Sequence, residues 1–166
     1  VKKPLAVKQR NYYRPNVGIV VINAAGQVFW GKRTDNAGWQ FPQGGIDKGE
    51  TPVEAMFREL AEETGLRREH VRLLGETRQW ITYTLPPQYR RRRLLGRFKG
   101  QSQKWFLVRL VAEDEAIDLS AHGEPEFDEW QWVSYWYPVH SVVYFKKNAY
   151  RKMLSELVCY QTEQSA

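Results

Sequence analysis

The 166-residue chain holds a single cysteine, Cys159, so no internal disulfide can staple its fold. It has no apolar run near the roughly 18 residues that cross a bilayer, and no charged-then-apolar segment at its start. The expected compartment is the cytoplasm, with no membrane partner. Cys159 lies among Leu154, Leu157 and Val158, a setting that predicts core packing rather than a nucleophile. Internal repeats and low-complexity linkers are also lacking, and this length predicts one domain with a sizeable core. Acid is missing from two long stretches. Residues 1–34 carry seven lysines and arginines and no carboxylate, and residues 86–104 carry Arg90, Arg91, Arg92, Arg93, Arg97, Lys99 and Lys104 with none.

Aromatic residues make up 14% of the chain, seven of them tryptophan, which predicts an ordered core with aromatic surface to spare for ligands. The net charge is +6, with a third basic cluster at Lys146, Lys147, Arg151 and Lys152. Acids gather instead in residues 44–66 and 113–129. An acidic centre inside a basic surround suits a polyanionic substrate, because cations and a bound metal can neutralise it from two sides.

The centre is the stretch Gly44 to Leu66. Thr51, Pro52 and Glu54 fit an N-cap, a first-turn proline and the acid of a capping box, and Gly65 fits the left-handed position that ends a helix. Between them Val53, Met56, Phe57 and Leu60 recur at the spacing of a core-facing stripe. Glu59, Glu62 and Glu63 fall on an arc beside that stripe, at about 100° per residue. Three carboxylates so placed repel one another unless a cation sits among them, and hard oxygen donors on a rigid element select magnesium or manganese.

Around this centre, residues 1–12 read as a flexible basic arm, 13–160 as the folded domain and 161–166 as a tail. Gly18 to Ile22 and Val28 to Gly31 predict a hairpin, and Trp39 to Pro42 a short extended piece. Val71 to Leu74, Gln79 to Leu85, Trp105 to Val111 and Phe127 to Ser134 predict further strands, with Trp130 and Trp132 on one face. Val142 to Tyr160 predicts a closing helix. Strands on both sides of a central helix, with a second helix last, give an α+β fold, an α/β/α sandwich.

Gly44, Glu50, Arg58, Glu59, Leu60, Glu62, Glu63, Gly65 and Leu66 stand at the intervals of the Nudix box, and the chain resembles the Nudix hydrolase family. That resemblance implies a mixed sheet between helices and hydrolysis of phosphoanhydrides with Mg²⁺ or Mn²⁺. It implies metal ligation by Glu59, Glu62, Glu63 and the carbonyl of Gly44, with Glu50 and Arg58 pairing to hold the ligand helix. Further motifs resemble the branch of the family that removes pyrophosphate, or phosphates stepwise, from the 5′ end of messages. They are Tyr13-Arg14-Pro15-Asn16-Val17-Gly18, Trp39-Gln40-Phe41-Pro42-Gln43-Gly44-Gly45, Gln103-Lys104-Trp105, Pro125-Glu126-Phe127-Asp128 and Val142-Val143-Tyr144-Phe145-Lys146.

This second resemblance implies a 5′-phosphorylated single-stranded RNA substrate. Arg14, Arg33, Lys104 and Lys146 would grip its phosphates, Phe145 would stack on a base, and Gln43 and Tyr83 would donate hydrogen bonds. Glu126 would be an added carboxylate, as metal ligand or base. A dinucleoside polyphosphate such as diadenosine tetraphosphate is the alternative substrate, and a non-catalytic nucleotide-binding or RNA-binding regulator the alternative class. The intact glutamate set argues against the regulator.

Overall fold

A computed structural model describes residues 13–90 and 98–161. The expected basic arm, Arg91 to Arg93, Arg97 and the tail beyond Gln161 lie outside the described residues. The strands are β1 (Tyr13–Ile22), β2 (Val28–Arg33), β3 (Trp39–Gln40), β4 (Gln43–Gly45), β5 (Val71–Glu76), β6 (Ile81–Thr84), β7 (Gly100–Leu110) and β8 (Phe127–Val133). The helices are α1 (Pro52–Thr64), α2 (Tyr137–Ser141) and α3 (Lys147–Leu157). No described helix is long and apolar enough to cross a membrane.

The sheet is mixed and centred on β1 and β7, which run parallel from Tyr13 opposite Gly100 to Ile22 opposite Arg109. Because both faces of β1 are covered, its run of Val and Ile is buried without a break from Val17 to Ile22. Val17, Ile19 and Val21 point into one core with Met56 and Leu60 of α1. Val20 and Ile22 point into the other with Tyr150, Met153, Leu154 and Leu157 of α3 and Val139 of α2. The result is the expected α/β/α sandwich.

Two features carry this scaffold into the acidic stretch. The first is an aromatic nest, in which Phe41 lies 5.1 Å from Trp30, 5.8 Å from Trp105 and 5.2 Å from Tyr150. Such pairs are worth about 0.5–1.5 kcal/mol each beyond burial. The Phe41 N–H also donates to the Tyr150 hydroxyl at 3.2 Å. The second is β4, which pairs antiparallel with β1, Gln43 to Gly45 lying opposite Gly18 to Asn16. The glycine segment is therefore held as a strand, on the rigid nest.

The α1 boundaries agree with their signals. The Thr51 hydroxyl accepts from Glu54 N–H, Pro52 opens the helix, and Gly65 adopts φ 76° while donating to the Ala61 carbonyl. Other elements differ. β1 begins at Tyr13 rather than Gly18 because its first half is held by distant β7. The closing helix is split into a 3₁₀ turn at Tyr144–Lys146, α3, and a 3₁₀ turn at Val158–Gln161. Val142 and Val143 are extended, with ψ 154° and 140°, so the helix cannot start at Val142. Cys159 is exposed, against expectation. Helical period ends at Leu157, and in the tighter turn beyond it the thiol rests on the Glu156 carbonyl at 3.3 Å rather than in the core.

Candidate active site

Arg58 is the hub of the acidic stretch. Its Nε and Nη2 donate to the two oxygens of Glu50 at 2.8 and 2.9 Å, and Nη2 also donates to the Gly45 carbonyl at 2.8 Å. This fork ties α1 to β4 in the way the box implies. It holds the Glu50 carboxyl down at about 2, the Arg58 hydrogen bond being the main cause. Glu50 in turn keeps the Arg58 guanidinium firmly protonated. Arg58 Nη1 reaches Glu59 at 2.8 Å and Glu62 at 3.3 Å.

The three α1 glutamates do not share one environment. Glu59 and Glu63, four residues apart and so stacked on one face, turn inward. The Glu59 side chain is 12% exposed and Glu63 is 7% exposed, whereas the Glu62 side chain is 50% exposed. Burial raises Glu59, partly offset by Arg58. Burial raises Glu63 much further, with the charges of Glu59 and Glu126 adding and the Gln43 N–H opposing. That N–H donates to Glu63 at 3.2 Å. Gly44 lies so close to Glu59 that a Cβ there would sit 1.9 Å from the carboxyl carbon.

β4 borders a cleft of about 330 Å³. Gln43, Gly44 and Gly45 line one side, with Arg14, Arg33, Glu126 and Lys146 around them, and Tyr83, Tyr89 and Phe145 form an aromatic wall. Arg14 lies over Gly45, where a Cβ would meet its guanidinium nitrogen at 2.3 Å. Arg33 is fixed by Gln40, at 3.3 Å, and by a salt bridge to Asp35. Its Nε is buried without a hydrogen-bond partner among the described residues, a donor left for a ligand oxygen. Lys146 is 5% exposed and donates to Gln40 at 3.0 Å, its Nζ 5.4 Å from the Tyr83 ring centre. Burial pushes Tyr83 up to about 12, so its hydroxyl keeps its proton.

Eight of the predicted residues thus meet at the cleft: Arg14, Arg33, Gln43, Gly44, Tyr83, Glu126, Phe145 and Lys146. Lys104 does not. It alternates with Gln103 on β7, so it faces away, and its ammonium donates to the Arg78 carbonyl at 3.1 Å. Sequence reading missed three residues. Gln40 is the shared acceptor of Arg33 and Lys146. Gln103 donates to Asn16 at 2.8 Å and to Gln43 at 3.2 Å, bracing β4 from β7. Tyr89 sets its ring 5.0 Å from Phe145. Gln40 and Gln103 stand inside motifs already singled out, but nothing local marks Tyr89.

The donors fit a divalent cation. All are oxygens, Glu63 is buried with like charges beside it, and Glu59 is seated against a glycine that leaves room for it. Among the described residues no three His, Cys, Asp or Glu side chains form a ready cage. Magnesium does not require one, since it is commonly bound through one or two carboxylates together with waters and substrate phosphates.

Burial also brings the Lys146 ammonium down from 10.5 to about 7, with the Arg33 charge adding. A lysine lowered in the folded state costs stability in full below the folded value, and the cost fades as pH rises toward the unfolded value. Wild-type protein is therefore expected to gain stability relative to Lys146→Met between about pH 7 and 10.5, read as urea midpoints across that range. Parallel curves would show that Lys146 is not desolvated. The same variant is expected to raise KM about ten- to hundredfold, the worth of one hydrogen bond to a charged group.

A family profile described as the NUDIX domain matches residues 12–157. An RNA pyrophosphohydrolase from Shewanella sediminis (strain HAW-EB3) is 56% identical over 144 residues, covering 87% of this chain and 84% of that protein. Another RNA pyrophosphohydrolase, from Shewanella piezotolerans (strain WP3 / JCM 13877), is 54% identical over 144 residues, covering 87% and 83%. Among solved structures, the E. coli dihydroneopterin triphosphate pyrophosphohydrolase superposes with a TM-score of 0.69 at 19% identity, over 86% of this chain and 97% of that one. A C. elegans Ap4A hydrolase superposes at 0.65 and 18%, over 89% and 97%. At such identities the superpositions speak for the fold alone.

Proposed function

The chain belongs to the Nudix family of hydrolases, and on that premise we propose that it hydrolyses the 5′ triphosphate or diphosphate end of single-stranded RNA to a monophosphate, exposing the message to decay. The observation that carries this reading is the cleft's make-up. Cations from three segments, Arg14, Arg33 and Lys146, surround a space bounded on one side by the glycine strand and on another by Tyr83, Tyr89 and Phe145. The cations suit a chain of phosphates, and the aromatic wall suits a base splayed out of a single strand.

Nudix hydrolases use divalent cations, and Mg²⁺ or Mn²⁺ would be held here by Glu59, Glu62, Glu63 and Glu126 with the Gly44 carbonyl. The ion's chemistry when bound is to neutralise phosphate charge and acidify a water. The chain's own residues do the rest. Arg33 offers its unpaired Nε to a phosphate oxygen, and Lys146 takes up a proton as the anion enters. Gln43 and Tyr83 orient the phosphates, while Arg58 and Glu50 keep α1 in register with β4. Glu126 lines the cleft, and we assign it to orient the attacking water, because Glu59 and Glu62 are engaged by Arg58 and Glu63 by the Gln43 N–H.

The test is a pair of rates. With Mg²⁺, kcat/KM on triphosphate-ended RNA is expected to exceed that on diadenosine tetraphosphate about tenfold or more, the worth of ~1.4 kcal/mol. The RNA end has a terminal phosphate bearing extra charge for Arg14, Arg33 and Lys146, whereas the dinucleotide caps it. A higher kcat/KM on the dinucleotide would overturn the substrate choice.

A further inference from the structure

A second hollow, of about 780 Å³, lies outside the cleft, between the segment joining β5 to β6 and the C-terminal half of α3. Arg78, Trp80, Arg151, Lys152, Cys159 and Tyr160 are on its lining. Trp80 is 38% exposed, an indole the core does not use. The Tyr160 ring is seated on Gly75, where a Cβ would come within 2.4 Å of it, so that wall is fixed. Among the described residues Glu156 is the one carboxylate on the lining, and it accepts the Arg78 backbone N–H. Arg78, Arg151 and Lys152 therefore leave the hollow positive, beside an exposed indole.

The hollow and the cleft are two ends of one seam. β6 gives Tyr83 to the cleft and Ile81 and Thr82 to the hollow. Phe145 and Lys146, which lead into α3, serve the cleft, and Ser155 and Glu156 near its end serve the hollow. At about 1.5 Å per residue along α3 and the turn that leads into it, the two groups stand roughly 14 Å apart. Arg151 and Lys152 lie between them, and the Arg151 guanidinium reaches back toward the cleft end, to Asn148 at 3.1 Å.

We propose that this hollow binds the downstream nucleotides of a single-stranded RNA whose 5′ end lies in the cleft, with Trp80 as stacking platform and Arg78, Arg151 and Lys152 following the phosphates. The proposal rests on the RNA reading above and deepens it. A cationic track with an aromatic face is what binds single strands without sequence preference. A strand leaving the cleft past Phe145 meets this seam. Binding here makes the enzyme favour longer ends over short ones.

The experiment compares wild type with the double variant Trp80→Ala, Arg151→Glu, both positions being exposed and outside the catalytic cleft. Substrates are a triphosphorylated dinucleotide and a triphosphorylated single strand on the order of ten nucleotides, within the span of such binding sites. Wild type is expected to favour the longer substrate in kcat/KM by about fivefold or more, the lower end of what one base–aromatic stack contributes. The variant is expected to lose that preference with its rate on the dinucleotide unchanged. Retention of the preference by the variant, or equal loss on both substrates, overturns the proposal, and retention returns the hollow to a surface for a protein partner.

Cys159 supplies a readout independent of hydrolysis, since it is the chain's single cysteine and lines the hollow. A 5′-hydroxyl RNA of the longer length is expected to slow its alkylation in wild type and not in the variant. Should wild type hydrolyse neither RNA, the catalytic reading has failed, and the alkylation rates still decide the hollow: protection supports the track, and its absence overturns it.

Discussion

Glu63→Gln is expected to lower metal-supported turnover on the order of a hundredfold or more while raising the Tm of the metal-free protein. The loss follows from position. Changing residues that merely support a metal ligand costs about 10–100-fold, and Glu63 stands among the ligand candidates themselves. The gain in Tm follows from the same position. Glu63 is 7% exposed and has Glu59 and Glu126 as neighbours in charge, so its ionised form is disfavoured by burial first and by those two carboxylates next. Glutamine keeps the oxygen that accepts the Gln43 N–H and removes the charge.

The pH dependence carries a definite sign. A carboxyl raised in the folded state binds more protons there than in the unfolded chain, so its stabilising contribution is complete below 4.5 and is lost as pH climbs through the raised value. In chelator, the Tm of wild type should therefore fall behind that of Glu63→Gln between pH 5 and pH 8, by about 2–4 °C for each kcal/mol relieved in a chain of this size. Equal Tm values at pH 8 would show that Glu63 is not strained. Undiminished turnover would sink the metal assignment.

That divided character of the glutamates marks the limit of what the sequence made legible. The caps of α1 could be read because they are local chemistry: one hydroxyl, one proline and one glycine with φ 76°. The box likewise placed Glu50 and Arg58 within reach of each other, as their bonds at 2.8 and 2.9 Å show. A helical wheel could not separate Glu62 from Glu59 and Glu63, because what buries the latter two is β4, held in place by pairing with β1. Lys104 was misplaced for a similar reason. One step along β7 reverses the face, and only the register shows that Gln103, not Lys104, looks toward Asn16 and Gln43. Gln40 and Tyr89 gain meaning only when segments far apart in sequence close around Lys146 and Phe145.

Gly44→Ala is expected to separate activity from stability more sharply than any glutamate substitution. An alanine here meets no backbone conflict, since Gly44 is not among the glycines with positive φ. Its methyl would sit 1.9 Å from Glu59 Cδ and 2.2 Å from each carboxylate oxygen, closer than atoms can approach. At Gly18, by contrast, the obstacle is the Trp105 ring at 2.4 Å, which is buried and cannot move aside. Glu59 is the free end of a flexible side chain and can swing out. Its departure forfeits the 2.8 Å bond from Arg58, but it also releases a carboxylate that burial disfavours, and alanine is favoured over glycine in a strand by roughly 0.5–1 kcal/mol. These effects oppose one another, so urea unfolding should place the variant within about 1 kcal/mol of wild type.

Turnover, however, should fall on the order of a hundredfold, because a carboxylate displaced from Gly44 leaves the side of Glu63, the other buried ligand candidate of α1. Raising the Mg²⁺ concentration should recover part of the loss if Glu59 contributes to metal affinity, and none if the methyl acts by closing the cleft to substrate. Full activity in the alanine variant would mean that the close seating of Gly44 against Glu59 has no part in the chemistry. A loss of several kcal/mol in stability would instead make Gly44 a packing residue, and the catalytic reading of that contact would fall with it.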